Sequence, residues 1–161
     1  MNKVIKINGK ILSRYNEIIS DEALEFIREI HERFNKERLE LLNERKKRQK
    51  GIDNGDKLDF PNETKKIRNA DWKIKNIPKD LLKRQVEITG PPVPKKMFIS
   101  ALNSGADCYM TDFEDSLTPT FDNLLQGQLN IKDAINRKID FTDEKSGKEY
   151  KLNEKVAVLI I

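Results

Sequence analysis

The stretch from Asp107 to Asn130, DCYMTDFEDSLTPTFDNLLQGQLN, constrains the fold more than any other part of the chain. It opens as a short strand, Asp107–Thr111, with Cys108 and Met110 on one side and Tyr109 on the other. Three carboxylates then fall within four positions, Asp112, Glu114 and Asp115, and Ser116 follows. Pro119 blocks a straight continuation, and a helical pattern starts near Phe121. Acids at the carboxyl end of an apolar strand, ahead of a loop and a helix, suit a βα unit whose loop faces a ligand. Continued strand alternation places Asp112 and Glu114 on one face and Asp115 on the other. The same residues also suit a capped turn, in which Asp and Ser satisfy the first amides of the next helix. Spacing alone leaves both readings open.

The flanks extend the pattern. Val86-Glu87-Ile88-Thr89 is strand-forming and stops at Gly90-Pro91-Pro92. Pro94 opens a helix to about Asn103, with Met97, Phe98, Ala101 and Leu102 on its buried face. Val86–Thr111 therefore reads strand, helix, strand, the unit of a parallel sheet. A helix over Phe121–Arg137 follows, then a hairpin from Ile139–Thr142 and Glu149–Leu152. Val156–Ile161 is continuously apolar, like a strand covered on both faces. The expected class is α/β, with Val86–Thr89, Asp107–Thr111 and Val156–Ile161 adjacent and parallel in that order.

Upstream the signals are helical. Residues 1–19 alternate weakly and suit an irregular arm. Ala23, Leu24, Ile27, Ile30 and Phe34 recur at helical spacing after Ser20-Asp21, which predicts a helix over Asp21–Phe34. A second helix is expected over Lys36–Lys50, with Leu39, Leu41 and Leu42 apolar, followed by a loop through Asp53-Asn54-Gly55 and Pro61. Trp72 is the only tryptophan and is expected to pack its loop down; a short helix is expected over Lys79–Arg84.

Several chemistries are disfavoured. The chain has 161 residues with 31 basic and 27 acidic side chains, a near balance that favours solubility over nucleic-acid binding. The run Arg45–Lys50 lacks interleaved aromatics and reads as a solvated helix end, so no nucleic-acid partner is expected. No apolar run reaches the ~20 residues of a membrane helix, and the N-terminus lacks a signal-peptide core, so the expected location is cytoplasmic. His31 is the only histidine and Cys108 the only cysteine, which excludes a histidine pair for a metal and an internal disulfide. Gly55, Gly90 and Gly105 are isolated and form no phosphate loop. Lys95-Lys96 suit either a phosphate at the strand mouth or a first-turn surface. The acidic cluster suits a divalent ion such as Mg²⁺ only with help from water and substrate.

The stretches Val86–Pro91, Ala101-Leu102-Asn103-Ser104-Gly105-Ala106, Asp112-Phe113-Glu114-Asp115-Ser116 and Gly127-Gln128-Leu129-Asn130 closely resemble malate synthase of the shorter, A-type isoform. Ile52-Asp53-Asn54-Gly55 and Ala70-Asp71-Trp72-Lys73-Ile74 resemble it too. The resemblance implies an N-terminal α-helical clasp over residues 1–85, followed over 86–161 by the first three βα units of an incomplete TIM (β/α)8 barrel. It implies an acyltransferase that condenses acetyl-CoA with glyoxylate and water to give malate and CoA in the glyoxylate cycle, with Mg²⁺. Asp112, Glu114 and Asp115 then line the active-site wall, and Ser116 matches a position contacting acetyl-CoA. The family's catalytic arginine, aspartate base and metal ligands are expected beyond Ile161. The fragment is therefore expected to be inactive alone and to need the rest of the barrel as a separate chain. Two other classes stay open: a non-catalytic assembly piece, and a basic RNA-binding module using Arg45–Lys50 and Lys95-Lys96.

Overall fold

A computed structural model describes residues 5–161. The chain divides into two compact units, Asp21–Asn76 and a second made of residues up to Ser20 with Ile77–Ile161. The expected arm over residues 1–19 falls partly on residues 1–4, which lie outside the described residues.

The first unit is helical. Helix α1 is one continuous helix, Asp21–Asp53, and α2 is a single turn, Lys65–Arg68. The expected division of α1 near Asn35 does not occur. Nothing there breaks a helix: no proline or glycine interrupts Asp21–Lys50, and Asn35 costs only a few tenths of a kcal/mol at an interior position. Its Oδ1 accepts from Arg38 Nη2 at 2.9 Å, one turn on. Arg28 bridges Glu25 and Glu32, and Lys47 reaches Glu44 at 2.6 Å, so the exposed surface is laced at helical spacing. No residue of α1 is buried. Trp72 does not pack down as expected: the residue is 62% exposed, with Nε1 donating to the Ile67 carbonyl at 3.0 Å.

The second unit is α/β. Its elements are β1 Glu87–Gly90, α3 Lys95–Leu102, β2 Cys108–Thr111, α4 Phe121–Ile135, β3 Asp140–Thr142, β4 Glu149–Lys151 and β5 Val158–Ile160. The helix expected over Lys79–Arg84 is a single 3-10 turn, Lys79–Leu81. Strands β1, β2 and β5 form a parallel sheet in that order, with Ile88 opposite Tyr109 and Tyr109 opposite Leu159. The expected strand order and direction are thus observed. Strands β3 and β4 pair antiparallel as the expected hairpin. Phe98, Ile99 and Leu102 of α3, Tyr109 of β2, Ile131 and Ala134 of α4, and Ile139 and Ala157 form the core. Helices α3 and α4 cover the sheet because their apolar residues recur at three- and four-residue spacing. Among the described residues no helix is long and apolar enough to cross a membrane.

Candidate functional site

The carboxyl ends of β1 and β2 carry two loops. After β1 the chain passes Gly90-Pro91-Pro92-Val93 into α3. After β2 it enters the acidic stretch. The amide of Asp112 still donates to the Gly90 carbonyl at 3.0 Å, which ties the two exits together. Thr111 Oγ1 donates to the Ile160 carbonyl at 3.0 Å and links the middle strand to β5.

Alternation stops at Thr111. Asp112 does not project as a strand residue. Its Oδ1 accepts the amides of Glu114 and Asp115, each at 2.9 Å, and Ser116 Oγ donates to the Asp112 carbonyl at 2.9 Å. The expectation that Asp112 and Glu114 share a strand face is therefore corrected: three local hydrogen bonds fold the segment into a turn. The amides of Asp115 and then Glu114, with Ser116, hold the Asp112 carboxyl below its usual range. Glu114, Asp115 and Ser116 are exposed around this turn, while Leu117 behind them is buried. Helix α4 is capped separately, by Thr120 accepting from the Asn123 amide at 3.2 Å. Asp112 and Ser116 thus build the turn, and neither caps the helix.

The other candidates lie elsewhere. Lys96 is drawn to Asp143 at 2.8 Å and over the Tyr150 ring, so it serves the hairpin. Cys108 is buried. Among the described residues no three His, Cys, Asp or Glu side chains converge as metal ligands. Arg45–Lys50 is an exposed face of α1.

Local pattern suggested the arm but not what anchors it. Arg14 grips Asp133 of α4 through two hydrogen bonds, 2.7 and 2.8 Å, and also reaches Glu17 at 2.6 Å. Lys132 closes the network on Glu17 at 2.9 Å. Tyr15 is buried against Leu125 and Leu129, its hydroxyl donates to the Asp122 carboxylate, and burial followed by that bond pushes its pKa to about 12. Hydrogen bonds from Arg14 and Lys132 pull the Glu17 carboxyl down to about 2. These partners stand 107 to 119 positions apart, beyond the reach of any periodicity.

Sequence comparison gives this geometry a family. Residues 3–66 match the family described as malate synthase, N-terminal domain. The chain is 48% identical over 157 residues to a malate synthase of Myxococcus xanthus, covering 98% of this chain and 29% of that protein. It is 49% identical over 144 residues to malate synthase A of Escherichia coli, covering 89% and 27% respectively. A maize relative named malate synthase, glyoxysomal, is 36% identical over 157 residues, 98% of this chain and 28% of its own. The chain belongs to the malate synthase family, and it spans under a third of the length of the curated relatives it matches.

Proposed function

We propose that the chain is the opening portion of a malate synthase: a helical clasp region over residues 1–85, then the first three βα units of a TIM barrel over 86–161. The assembled enzyme condenses acetyl-CoA with glyoxylate and water, giving malate and CoA in the glyoxylate cycle, and works in the cytoplasm. The supporting observation is the position of Asp112–Ser116 at the carboxyl end of the middle strand of a parallel sheet, the end at which α/β folds bind ligands. In this reading Asp112, Glu114 and Asp115 form part of the active-site wall, and the Ser116 hydroxyl contacts acetyl-CoA.

The chemistry needs more than a wall. Taking a proton from the acetyl methyl requires a base, and the developing enolate oxygen requires positive charge. When bound, Mg²⁺ would polarise the glyoxylate carbonyl. The residues described here do not fit that ion: Asp112 spends an oxygen on two amides, and no three ligating side chains converge among them. No step is therefore routed through it. The base, the metal ligands and the arginine are proposed to lie in sequence corresponding to the rest of the relatives.

Thiol release from acetyl-CoA in the presence of glyoxylate and Mg²⁺ tests this reading. The 161-residue chain should be inactive alone and gain turnover when mixed with the remaining part of a malate synthase. In that mixture Asp112→Ala and Glu114→Ala should lower the rate well below that of Lys47→Ala, whose site is an exposed face of α1. Mg²⁺-dependent turnover by the lone chain would overturn the placement of the catalytic groups.

A further inference from the structure

Pro91 and Pro92 carry no amide hydrogen, so the β1–α3 loop is rich in acceptors and poor in donors. Both carbonyls are met from outside. The Tyr109 hydroxyl donates to the Pro91 carbonyl at 3.0 Å, and Asn130 Nδ2 donates to the Pro92 carbonyl at 2.8 Å. Asn130 is 0% exposed, and its own Oδ1 accepts from Gln126 Nε2 at 2.9 Å. A buried amide in the middle of a helix face is costly unless each polar atom is used, and here both are. One turn earlier, Gly127 is buried on the same face. A Cβ at Gly127 would sit 2.8 Å from Phe113 Cε1 and 2.8 Å from Pro92 Cγ, closer than carbon atoms pack. The notch therefore admits one residue from each loop, Pro92 from the first and Phe113 from the acidic stretch.

We propose that Gly127 and Asn130 are positioning residues, which seat the Gly90–Pro94 loop and the acidic turn Asp112–Ser116 against each other on α4. The notch fixes Phe113, the residue between Asp112 and Glu114. The Asn130 hydrogen bond fixes the proline loop that packs beside it. Neither residue touches a ligand; each acts by setting where the exposed carboxylates of the turn stand. The catalytic value of this seating rests on the function proposed above, while the seating is tested without it.

The test is a carboxyl-carbon NMR titration of Asp112 in the 161-residue chain. Gly127→Ala adds the forbidden Cβ, and Asn130→Leu keeps the volume while removing the donor. Ile139→Val, a core change outside α4 and outside both loops, serves as a control for general loosening. Loss of the seating should free the Asp112 carboxylate from the amides of Glu114 and Asp115, so its midpoint should climb towards the ordinary aspartate range in the first two variants and stay low in the control. An unchanged Asp112 midpoint in Gly127→Ala and Asn130→Leu, or an equal climb in Ile139→Val, overturns the proposal. In the complemented assay, Gly127→Ala should lower kcat at least tenfold, with KM for acetyl-CoA rising less. A wild-type mixture without turnover would sink the functional reading and leave the titration to decide the seating.

Discussion

The two units treat apolar side chains in opposite ways. In the α/β unit Phe98, Ile99, Cys108 and Tyr109 are sealed at 0 to 1% exposure. In the helical unit Phe26, Phe34, Leu39, Leu41, Leu58 and Phe60 stand between 46% and 76% exposed. Both stretches have regular apolar spacing, so amphipathicity alone does not distinguish them. The α/β unit brings a sheet and two helices to a common core. Helix α1 instead draws on propensity and on pairs such as Arg28 with Glu25 and Glu32. Periodicity shows which face is to be covered; burial comes only with a second surface to cover it.

The largest expected effect tests that contrast directly. Phe98→Ala should reduce the stability of the α/β unit by about 3–5 kcal/mol, since it opens a cavity beneath Tyr109, whose ring lies 5.7 Å away. Phe34→Ala in α1 should change local stability by less than about 0.5 kcal/mol. Amide hydrogen exchange in β2 and in α1 reads both without requiring the whole chain to unfold as one. Similar costs at the two sites would mean that α1 is covered as fully as α3.

How far the sequence went follows from the range of the interactions. The parallel order of β1, β2 and β5 was legible because each strand announces itself in four to six residues and the intervening helix fixes direction. The position of the acidic stretch at a strand mouth was legible for the same reason. Its shape was not, because Asp112 had two lawful partners: the strand period and the amides of Glu114 and Asp115, and local hydrogen bonds won. The continuity of α1 was not legible, because its apolar spacing falls in two stretches, while Asn35 between them carries only a small propensity cost and leaves the helix unbroken. Arg14, Tyr15 and Asn130 left no local trace. Their partners Asp133, Asp122 and Pro92 are distant in sequence, and only the folded chain brings them together.

A smaller effect sharpens the contrast through two helical glycines. Alanine in a helix interior is favoured over glycine by about 1 kcal/mol. At Gly51 in α1 that gain should survive, because a new Cβ would meet only the Asp56 carboxylate, the end of a flexible side chain. At Gly127 in α4 it should be reversed, since the Cβ would strike the Phe113 and Pro92 rings, and overpacking of this kind costs about 1–3 kcal/mol. Gly51→Ala should therefore raise helicity by circular dichroism. Gly127→Ala should lower the denaturant midpoint of the α/β unit. Opposite signs support the difference between an open and a packed helix; equal signs abolish it.

The smallest expected effect concerns acid and salt. The hydrogen bonds of Arg14 hold Asp133 below the ordinary aspartate range, and those of Arg28 do the same to Glu25. A carboxylate whose folded pKa is depressed contributes stability that is present above its unfolded pKa and is lost as pH falls through the folded value. Glu17, drawn from the ordinary 4.5 to about 2 by Arg14 and Lys132, sets the window: the arm should loosen from α4 only as pH falls from about 4.5 towards 2. Salt should separate the two units within that window. The Glu25 side chain is 54% exposed, whereas the Asp133 side chain is only 11% exposed. At 1 M salt the screening length is about 3 Å, so the exposed Glu25 carboxylate is screened more than the sheltered Asp133 carboxylate. Carboxyl NMR titration should then show Glu25 returning towards its ordinary range and Asp133 remaining low. If both relax together, the arm is held no more firmly than an ordinary surface ion pair, and the tie between Arg14 and α4 is not what orders the arm.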